Sequence, residues 1–298
     1  MRRKTTALLL AAALGGGLTL TAAPMSFAAG PAAATAHHHY ALGARLSVRV
    51  THHTAPSHAA IERSLKALSP LKSSMRANDD GGVDLSQYAA SPGDQGQVGS
   101  CVAWAIDHSA YSVEENEQGI SGGPQAPMYT YAQIAQGNDQ GSTPEQNFQI
   151  AESQGVDADS DYSQGDYDYT TQPTQAETDN AANWKLSGHT SLSTGSGIQS
   201  DVEQALSNGE PVVITIPVYK SFEDITAQQA TDYSYAPTSG DQYMGDHEIT
   251  IIGYNDQGVR VENSWGTSWG DQGFINLSWN YLSDQVKEAN AVGKLVQN

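Results

Sequence analysis

The sequence predicts an α+β protein in which the helices come first and the strands later. From about residue 101 to residue 208, apolar residues recur at helical spacing and typical helix-start residues are present. Beyond residue 210, short runs rich in valine and isoleucine are separated by turn residues. Because the two patterns occupy separate stretches, we expect two halves of different structural class instead of alternating βαβ units.

The N-terminus has the features of a secretory signal peptide. Three basic residues at positions 2–4 precede an apolar stretch that begins at Ala7, and residues suited to signal cleavage occur at positions 26–28. The apolar stretch is shorter than the roughly 20 residues that a membrane-spanning helix needs. We therefore predict a signal peptide at residues 1–28 and a protein that is secreted to the extracellular space.

Residues 29–83 are predicted to form a leader between the signal peptide and the main domain. Residues 29–39 are rich in alanine and histidine and predict disorder. Residues 58–68 carry apolar residues at helical spacing, and Pro70 ends that pattern. Six of the nine histidines lie in this leader, where a polar tail explains them more simply than metal capture does. The main domain is expected at 84–298.

The chain is strongly acidic, with a formal net charge of −19 at pH 7. Such a charge disfavours nucleic acid and anionic membranes as partners and favours solubility outside the cell. The chain holds one cysteine, so no disulfide can form within it and its stability must come from core packing. We expect a monomer that binds neither nucleic acid nor, after signal cleavage, a membrane.

The single cysteine, Cys101, is predicted to lie at the start of a helix. Apolar residues that share one helical face follow it at Val102, Ala105, Ile106, Ala110 and Val113. Gly99 and Ser100 precede this pattern, which places Cys101 at or near the helix N-terminus. Backbone N–H groups at such a terminus carry positive partial charge, which favours a thiolate.

Two further helices are expected in the first half. Thr143 can cap a helix that has Pro144 in its first turn and Gln146 in the capping-box position. A third helix is expected at residues 198–208. Between them, residues 156–182 are acidic, rich in tyrosine and predict turns. The predicted strands lie at residues 211–217, 248–253, 259–262 and 274–277.

The acidic stretch contains part of a calcium-loop spacing. Asp157, Asp159 and Asp161 alternate, and Asp168 follows further on, but Tyr162 occupies the position that demands glycine. We therefore expect a solvated acidic loop, and we predict no metal or other cofactor.

An unpaired thiol in a secreted chain is a candidate nucleophile, and it needs a base to take its proton. His108 lies two turns along the same helix, about 10 Å away. His189 lies in a polar connection with nothing to orient it. His247 opens a predicted strand, which is a rigid mount, and Asn263 on the neighbouring strand could hold its ring. Trp265 either packs in the core or shields the Asn–His bond from water.

These residues together resemble the papain-like cysteine peptidase family. Gln95 precedes Cys101 with five residues between them, and Asp246-His247 follows, with His247 146 residues after the cysteine. The block Asn263-Ser-Trp-Gly-x-x-Trp-Gly270 completes the set. The resemblance covers roughly residues 83–282. Val98 stands where the family has one half of a disulfide, in agreement with the lone cysteine.

The resemblance implies a two-lobed papain-like fold with the active cleft between the lobes. The helical lobe is expected at about 84–195 and a β-barrel-like lobe at about 196–298. By the same resemblance, the catalytic residues are the nucleophile Cys101, the general base and then acid His247, the orienting Asn263, and Gln95 as an oxyanion donor beside the Cys101 backbone N–H.

The resemblance also indicates which residues bind substrate, namely Gly141, Ser142, Asp246, Glu248 and Trp265. Gly141-Ser142 stands where the family pairs with the substrate backbone. Glu248 stands where the family often has alanine. An acid there either lines the second specificity pocket and favours a basic side chain or points away, since alternate strand residues face opposite sides.

The predicted function is therefore hydrolysis of peptide bonds through an acyl thioester on Cys101, with peptides or proteins as substrates. Two alternatives stay open: a related enzyme that passes the acyl group to an amine, and a non-catalytic peptide-binding relative. The long prosegment helix pattern of many family members is not evident in residues 29–83, so the sequence leaves open whether the leader inhibits.

Overall fold

The helices and the antiparallel sheet that the sequence separates are both present in the computed structural model, which describes residues 40–48, 76–77 and 81–296. The predicted signal peptide, the stretch predicted as disordered and the predicted leader helix lie outside these residues. No helix in the described ranges is long and apolar enough to cross a bilayer. The mixed α+β class is confirmed.

The longest described helix, α1, begins at Cys101 as predicted. It runs through three joined segments, Cys101–Ala103, Trp104–Ala110 and Tyr111–Gln118. The other helices of the described residues are α2 (Pro127–Ala135), α3 (Pro144–Ser153), α4 (Gln175–Ala181), α5 (Ile198–Ser207), α6 (Lys220–Glu223), α7 (Ala227–Thr231) and α8 (Trp279–Gln285). Short 3-10 turns lie at Ser86–Tyr88 and Gly195–Gly197.

The start of α3 is determined by its own sequence. The Thr143 hydroxyl accepts the backbone N–H of Gln146 (3.2 Å), and Gln146 Oε1 accepts the backbone N–H of Thr143 (3.0 Å). This reciprocal pair satisfies donors that a helix end otherwise leaves free. Pro144 has no backbone N–H, but an N–H at the first helical position would have no partner within the helix, so no hydrogen bond is lost. The predicted second and third helices are thereby confirmed as α3 and α5.

The strands form one antiparallel sheet. They are β1 (Arg76–Ala77), β2 (Val83–Asp84), β3 (His189–Ser191), β4 (Val212–Tyr219), β5 (Tyr243–Tyr254), β6 (Gly258–Glu262), β7 (Phe274–Ser278) and β8 (Glu288–Val292). Their order is β1-β2-β5-β4-β8-β3, with β6 on β5 and β7 on β6. The order does not close on itself, so the lobe expected to be barrel-like is an open sheet. The four predicted strands are confirmed as β4 to β7.

Strand β4 is buried on both faces, which explains its uninterrupted apolar run. Ile214 and Ile216 pack in the core of the β lobe, together with Val202 of α5. Val213 packs in the core of the helical lobe, together with Ile106 of α1. Because alternate side chains of a strand face opposite sides, β4 contributes to both cores at once.

A π-helical turn of α1, Trp104–Ala110, lies against strands β5 and β6. There the Thr250 hydroxyl donates to the Ala105 carbonyl (2.8 Å), and the Ser109 hydroxyl donates to Glu262 Oε1 (2.8 Å). All four residues are buried. These two bonds hold the helix that begins with Cys101 against the sheet.

Glu262 belongs to a group of buried carboxyls that are protonated more readily than usual. Burial raises the pKa of Glu262 to about 7 and that of Glu115 to about 8, and it raises the pKa of Asp107 and Glu114 as well. The folded state therefore binds protons that the unfolded chain has released. The free energy of unfolding must fall as pH rises from the ordinary carboxyl pKa through these raised values.

We expect Glu262→Gln to remove part of this pH dependence. Glutamine still accepts the Ser109 hydroxyl but does not titrate, whereas Glu262 lowers the free energy of unfolding by about 3 kcal/mol as pH rises from about 4.5 to about 7. Urea unfolding at a series of pH values, in the Cys101→Ala chain to prevent self-digestion, measures the effect. Asp179→Asn, at an exposed position of α4, is the control. Equal slopes for all three chains would contradict the prediction.

Candidate active site

Cys101 is the first residue of α1 and its side chain is fully buried. Burial raises the pKa of the thiol to about 12, and hydrogen bonds from the backbone N–H groups of Glu248 and Gly43 oppose this rise without cancelling it. The thiol is therefore neutral at physiological pH in this structure. Its immediate neighbours come from α1, from β5 and from the leader.

His247 lies on β5, one residue before the N–H that contacts the Cys101 sulfur. Its Nε2 is 2.7 Å from Asn263 Oδ1, which also accepts the backbone N–H of Ser264 (2.8 Å). Because an amide oxygen only accepts, Nε2 carries the proton. Nδ1 has no hydrogen-bond partner among the described residues and is the nitrogen able to take a proton. Burial lowers the pKa of His247 to about 4, so the imidazole is neutral.

The Trp265 ring covers this histidine. The ring centroids of Trp265 and His247 are 4.5 Å apart with an angle of 27° between the planes. Trp265 in turn packs edge-on against Trp269 (5.4 Å) and Phe222 (5.7 Å) in the β-lobe core. Core packing and cover for the histidine, the two alternatives that the sequence leaves open for Trp265, are both present.

Gln95 is held in one orientation by contacts at both ends of its amide. Oε1 accepts the Ser264 hydroxyl (2.7 Å), while Nε2 donates to the carbonyls of Val98 (2.9 Å) and Ala41 (3.1 Å). Its backbone N–H also donates to the Ser264 carbonyl (2.9 Å). The residue after Asn263 therefore orients Gln95, so that one short segment positions both the histidine partner and this amide.

Gly141 and Ser142 form one wall beside α1. The Tyr131 hydroxyl accepts the Gly141 N–H (3.0 Å) and donates to Asp139, whose carboxylate accepts the Gly99 N–H (3.1 Å). This chain of bonds couples the wall to the loop that leads into Cys101. Among these residues, the family resemblance predicts a binding role only for Gly141 and Ser142.

Residues 40–48, which belong to the predicted leader, contact the site from Trp265 to Ser142. At one end, the ring of Tyr40 stacks on Trp265 (4.3 Å, 7°). In the middle, the Ser142 N–H donates to the Gly43 carbonyl (2.9 Å) and the Arg45 N–H donates to the Ser142 carbonyl (2.9 Å). This segment pairs with the chain through a parallel bridge, and it covers the cleft with backbone groups.

Two glycines permit the close contact between the leader and the wall. A Cβ atom at Gly43 would lie 1.9 Å from the Gly99 carbonyl oxygen, and one at Gly141 would lie 2.0 Å from the Gly43 carbonyl oxygen. Gly141 also has a φ of +72°, a conformation that suits glycine. No larger side chain fits at either place without displacing the leader.

In this structure the side chains of Asp246 and Glu248, both predicted to bind substrate, contact other residues of the protein. The Asp246 carboxylate binds Lys287 (2.6 Å) and accepts the Tyr243 hydroxyl (2.8 Å), while its backbone carbonyl accepts the Ala44 N–H (3.3 Å). The Glu248 side chain is fully buried, and its Oε2 accepts the hydroxyl of Thr215 on the neighbouring strand (2.5 Å).

The other two histidines of the main domain have structural roles. His108 Nε2 lies 3.0 Å from the Ser91 carbonyl oxygen. The expectation that His189 lies unoriented in a polar connection is wrong. His189 belongs to β3, stacks on Phe148 (4.1 Å) and contacts Glu152 through Nδ1 (2.6 Å), because β3 pairs with β8 and packs over α3.

The acidic loop uses its carboxylates internally. Asp157 accepts from Asn180 (2.7 Å), and Asp168 accepts from the hydroxyls of Thr170 (2.6 Å) and Thr171 (2.7 Å). Within the part of the chain that the structure describes, no group of three or more histidine, cysteine, aspartate or glutamate side chains could hold a metal ion.

Several residues that contribute to the site are not identified by a sequence motif of their own. Ser264 adjoins Asn263 and lies within the Asn-Ser-Trp-Gly motif. Tyr131 and Asp139 lie 30 and 38 residues beyond Cys101 with no distinguishing spacing. Residues 40–48 contact the site mainly through their backbone, so their amino-acid composition does not predict that they lie at the site.

A buried thiol at a helix start, beside an asparagine-bound histidine on a strand, in a fold with one helical and one β lobe, is the arrangement of a cysteine protease. Residues 82–292 match the family model described as papain family cysteine protease. This match covers well over half of the chain. The chain belongs to the papain family of cysteine proteases.

Known proteins show the extent of the similarity. An uncharacterized peptidase C1-like protein of Acanthamoeba polyphaga mimivirus is 34% identical over 88 residues, 28% of this chain and 27% of that protein. Digestive cysteine proteinase 2 of Homarus americanus is 34% identical over 99 residues, 32% of this chain and 28% of that protein. The aligned regions span less than a third of these relatives' length.

The fold is shared over a longer stretch. The crystal structure of xylellain, a cysteine protease from Xylella fastidiosa, has a TM-score of 0.69 to this chain at 18% identity. The superposition covers 86% of this chain and 97% of xylellain. This similarity supports the papain-like fold of the described residues.

Gln95→Ala is expected to lower kcat for peptide hydrolysis by about 10²–10³ with little change in KM, because it removes one donor aimed at the oxyanion of the intermediate. Steady-state kinetics on a fluorogenic peptide measure both constants. Gln97→Ala, at an exposed position two residues on, is the matched control. An unchanged kcat in Gln95→Ala would remove this amide from the oxyanion site.

Proposed function

We propose that the chain is a secreted cysteine peptidase that is produced in a latent form, with residues 40–48 covering its catalytic cleft. The observation that carries the peptidase assignment is the imidazole of His247. Its Nε2 is bound to Asn263, its Nδ1 has no partner among the described residues, and the next residue, Glu248, donates its backbone N–H to the sulfur of Cys101. Peptides or proteins are the substrates, and the extracellular space is where the enzyme acts.

In the proposed reaction, His247 Nδ1 takes the proton of the Cys101 thiol, and the thiolate attacks the carbonyl carbon of the scissile peptide bond. The tetrahedral intermediate collapses when the imidazolium gives its proton to the departing amine. An acyl thioester remains on Cys101. Water then attacks the thioester carbonyl, with His247 as general base, and the acid product leaves as the thiol is restored.

The oxyanion of both tetrahedral intermediates needs fixed donors. Gln95 Nε2 is suited to this role because Ser264 holds the opposite end of the amide, so the N–H groups cannot rotate away. The first N–H groups of a helix lack partners within the helix, and the N–H of Cys101 is one of them. In the described structure the Ala41 carbonyl takes the Gln95 bond that a substrate carbonyl would use.

Latency follows from burial. With residues 40–48 in place, Cys101 and His247 have no solvent-accessible surface, so no substrate can reach them. The same burial moves the two pKa values in opposite directions, up for the thiol and down for the imidazole, and so opposes proton transfer between them. Departure of the leader would open the cleft and rehydrate both groups.

Cys101→Ala and His247→Gln should each abolish peptide hydrolysis, and Cys101→Ala should also abolish labelling by a thiol-directed epoxide. His108→Gln should keep both, because its amide can still donate to the Ser91 carbonyl and this residue takes no part in the chemistry. Hydrolysis of a mixed peptide library, with mass spectrometry of the protein, measures both effects. Hydrolysis that persists in Cys101→Ala would overturn the assignment.

Gly43→Ala should activate the full-length chain without cleavage of the leader. The added methyl meets the Gly99 carbonyl, and because overpacking costs about 1–3 kcal/mol, we expect epoxide labelling to accelerate about tenfold or more. Val48→Ala, at a leader position that is 85% exposed, is the control. Labelling of Gly43→Ala at the parental rate would contradict a blocking role for the leader.

A further inference from the structure

One peptide unit in the loop before Cys101 is held from both of its sides. The carbonyl of Val98 accepts Gln95 Nε2 (2.9 Å), and the N–H of the same unit, which belongs to Gly99, donates to both carboxylate oxygens of Asp139 (3.1 Å each). Because a peptide unit is planar and rigid, a partner that fixes its N–H also fixes the direction of its carbonyl. Asp139 therefore helps to determine where the Val98 carbonyl points.

Asp139 is itself held in place by Tyr131 of α2. The Tyr131 side chain is fully buried, and its hydroxyl donates to Asp139 while it accepts the Gly141 N–H (3.0 Å). Burial raises the pKa of this hydroxyl and the Asp139 carboxylate raises it further, so the hydroxyl keeps the proton that it donates. None of these bonds uses an atom of residues 40–48, so they do not depend on the leader.

The Asp139 carboxylate lies directly against the loop. A Cβ atom at Gly99 would lie 2.8 Å from Asp139 Oδ1, and Gly99 is buried. Because the chain has one cysteine, no disulfide within it can hold the loop instead. A buried N–H without an acceptor is costly, so removal of the carboxylate favours a rotated Val98–Gly99 unit in which this N–H finds another partner.

We propose that Asp139 is a positioning residue for the oxyanion donor Gln95. It acts through the Val98–Gly99 peptide unit, and this inference rests on the proposed function. The Gln95 amide nitrogen has two N–H groups, of which one donates to the Val98 carbonyl and the other to the Ala41 carbonyl, at the place of a substrate carbonyl. If the Val98 carbonyl turns, the amide turns with it, and the second N–H no longer points at the oxyanion.

A double-mutant cycle tests this link. In the otherwise parental chain, Asp139→Ala should lower kcat for peptide hydrolysis by about 10- to 10²-fold, because small displacements of a catalytic group have effects of this size. In the Gln95→Ala chain the same substitution should lower kcat by less than about threefold, because the amide that Asp139 positions is absent. Asp139→Asn keeps an oxygen for the Gly99 N–H and should restore most of kcat. Asp179→Ala, at an exposed carboxylate of α4, is the control in both chains.

The measurement uses the secreted protein recovered from culture medium. The constant kcat is expressed per active site, counted by the stoichiometry of labelling with the thiol-directed epoxide, so that loss of folded protein does not lower it. A parental kcat in Asp139→Ala, an equal loss in both chains, or an equal loss in Asp139→Asn and Asp139→Ala would overturn the positioning role. Absence of thiol-dependent hydrolysis by the parental protein would refute the peptidase itself.

A second variant decides the question if Asp139→Ala is not recovered as folded protein. Tyr131→Phe keeps the ring and removes only the hydroxyl that holds Asp139. It should lower kcat in the otherwise parental chain and leave kcat nearly unchanged in the Gln95→Ala chain. Tyr167→Phe, at a tyrosine that is 53% exposed, is the matched control. A loss of kcat from Tyr131→Phe that is equal in both chains, or no loss in either, would contradict the proposal.

Discussion

The chemistry of this molecule depends on the contact between helix α1 and the sheet, because the thiol and the imidazole lie on different elements. Thr250 donates to Ala105, and Ser109 donates to Glu262, both in buried surroundings. Thr250 and Glu262 are directly paired across β5 and β6, so the two bonds form one rigid connection. A buried polar group left unpaired costs about 1–3 kcal/mol, which penalises any slip of the helix along the strands.

Burial by the leader is the second constraint, and it acts on charge as much as on access. Cys101, His247 and Glu248 are all fully buried, and burial drives each of them toward its neutral form. In the proposed latent form, the nine residues 40–48 hold back the nucleophile and the base together. They contact the site mainly through backbone groups, and Gly43 is the position where an added side chain would break this fit.

Local sequence patterns predicted the helices and strands whose ends are set by residues close to them in the sequence. The capping box at Thr143 and the apolar run of β4 are of this kind, and the spacing from Cys101 to His247 and Asn263 identified the candidate catalytic set through its family resemblance. The path of the leader could not be predicted, because it depends on close backbone contacts. The place of Glu288 opposite Thr215 could not be predicted either, since it depends on register between strands far apart in sequence.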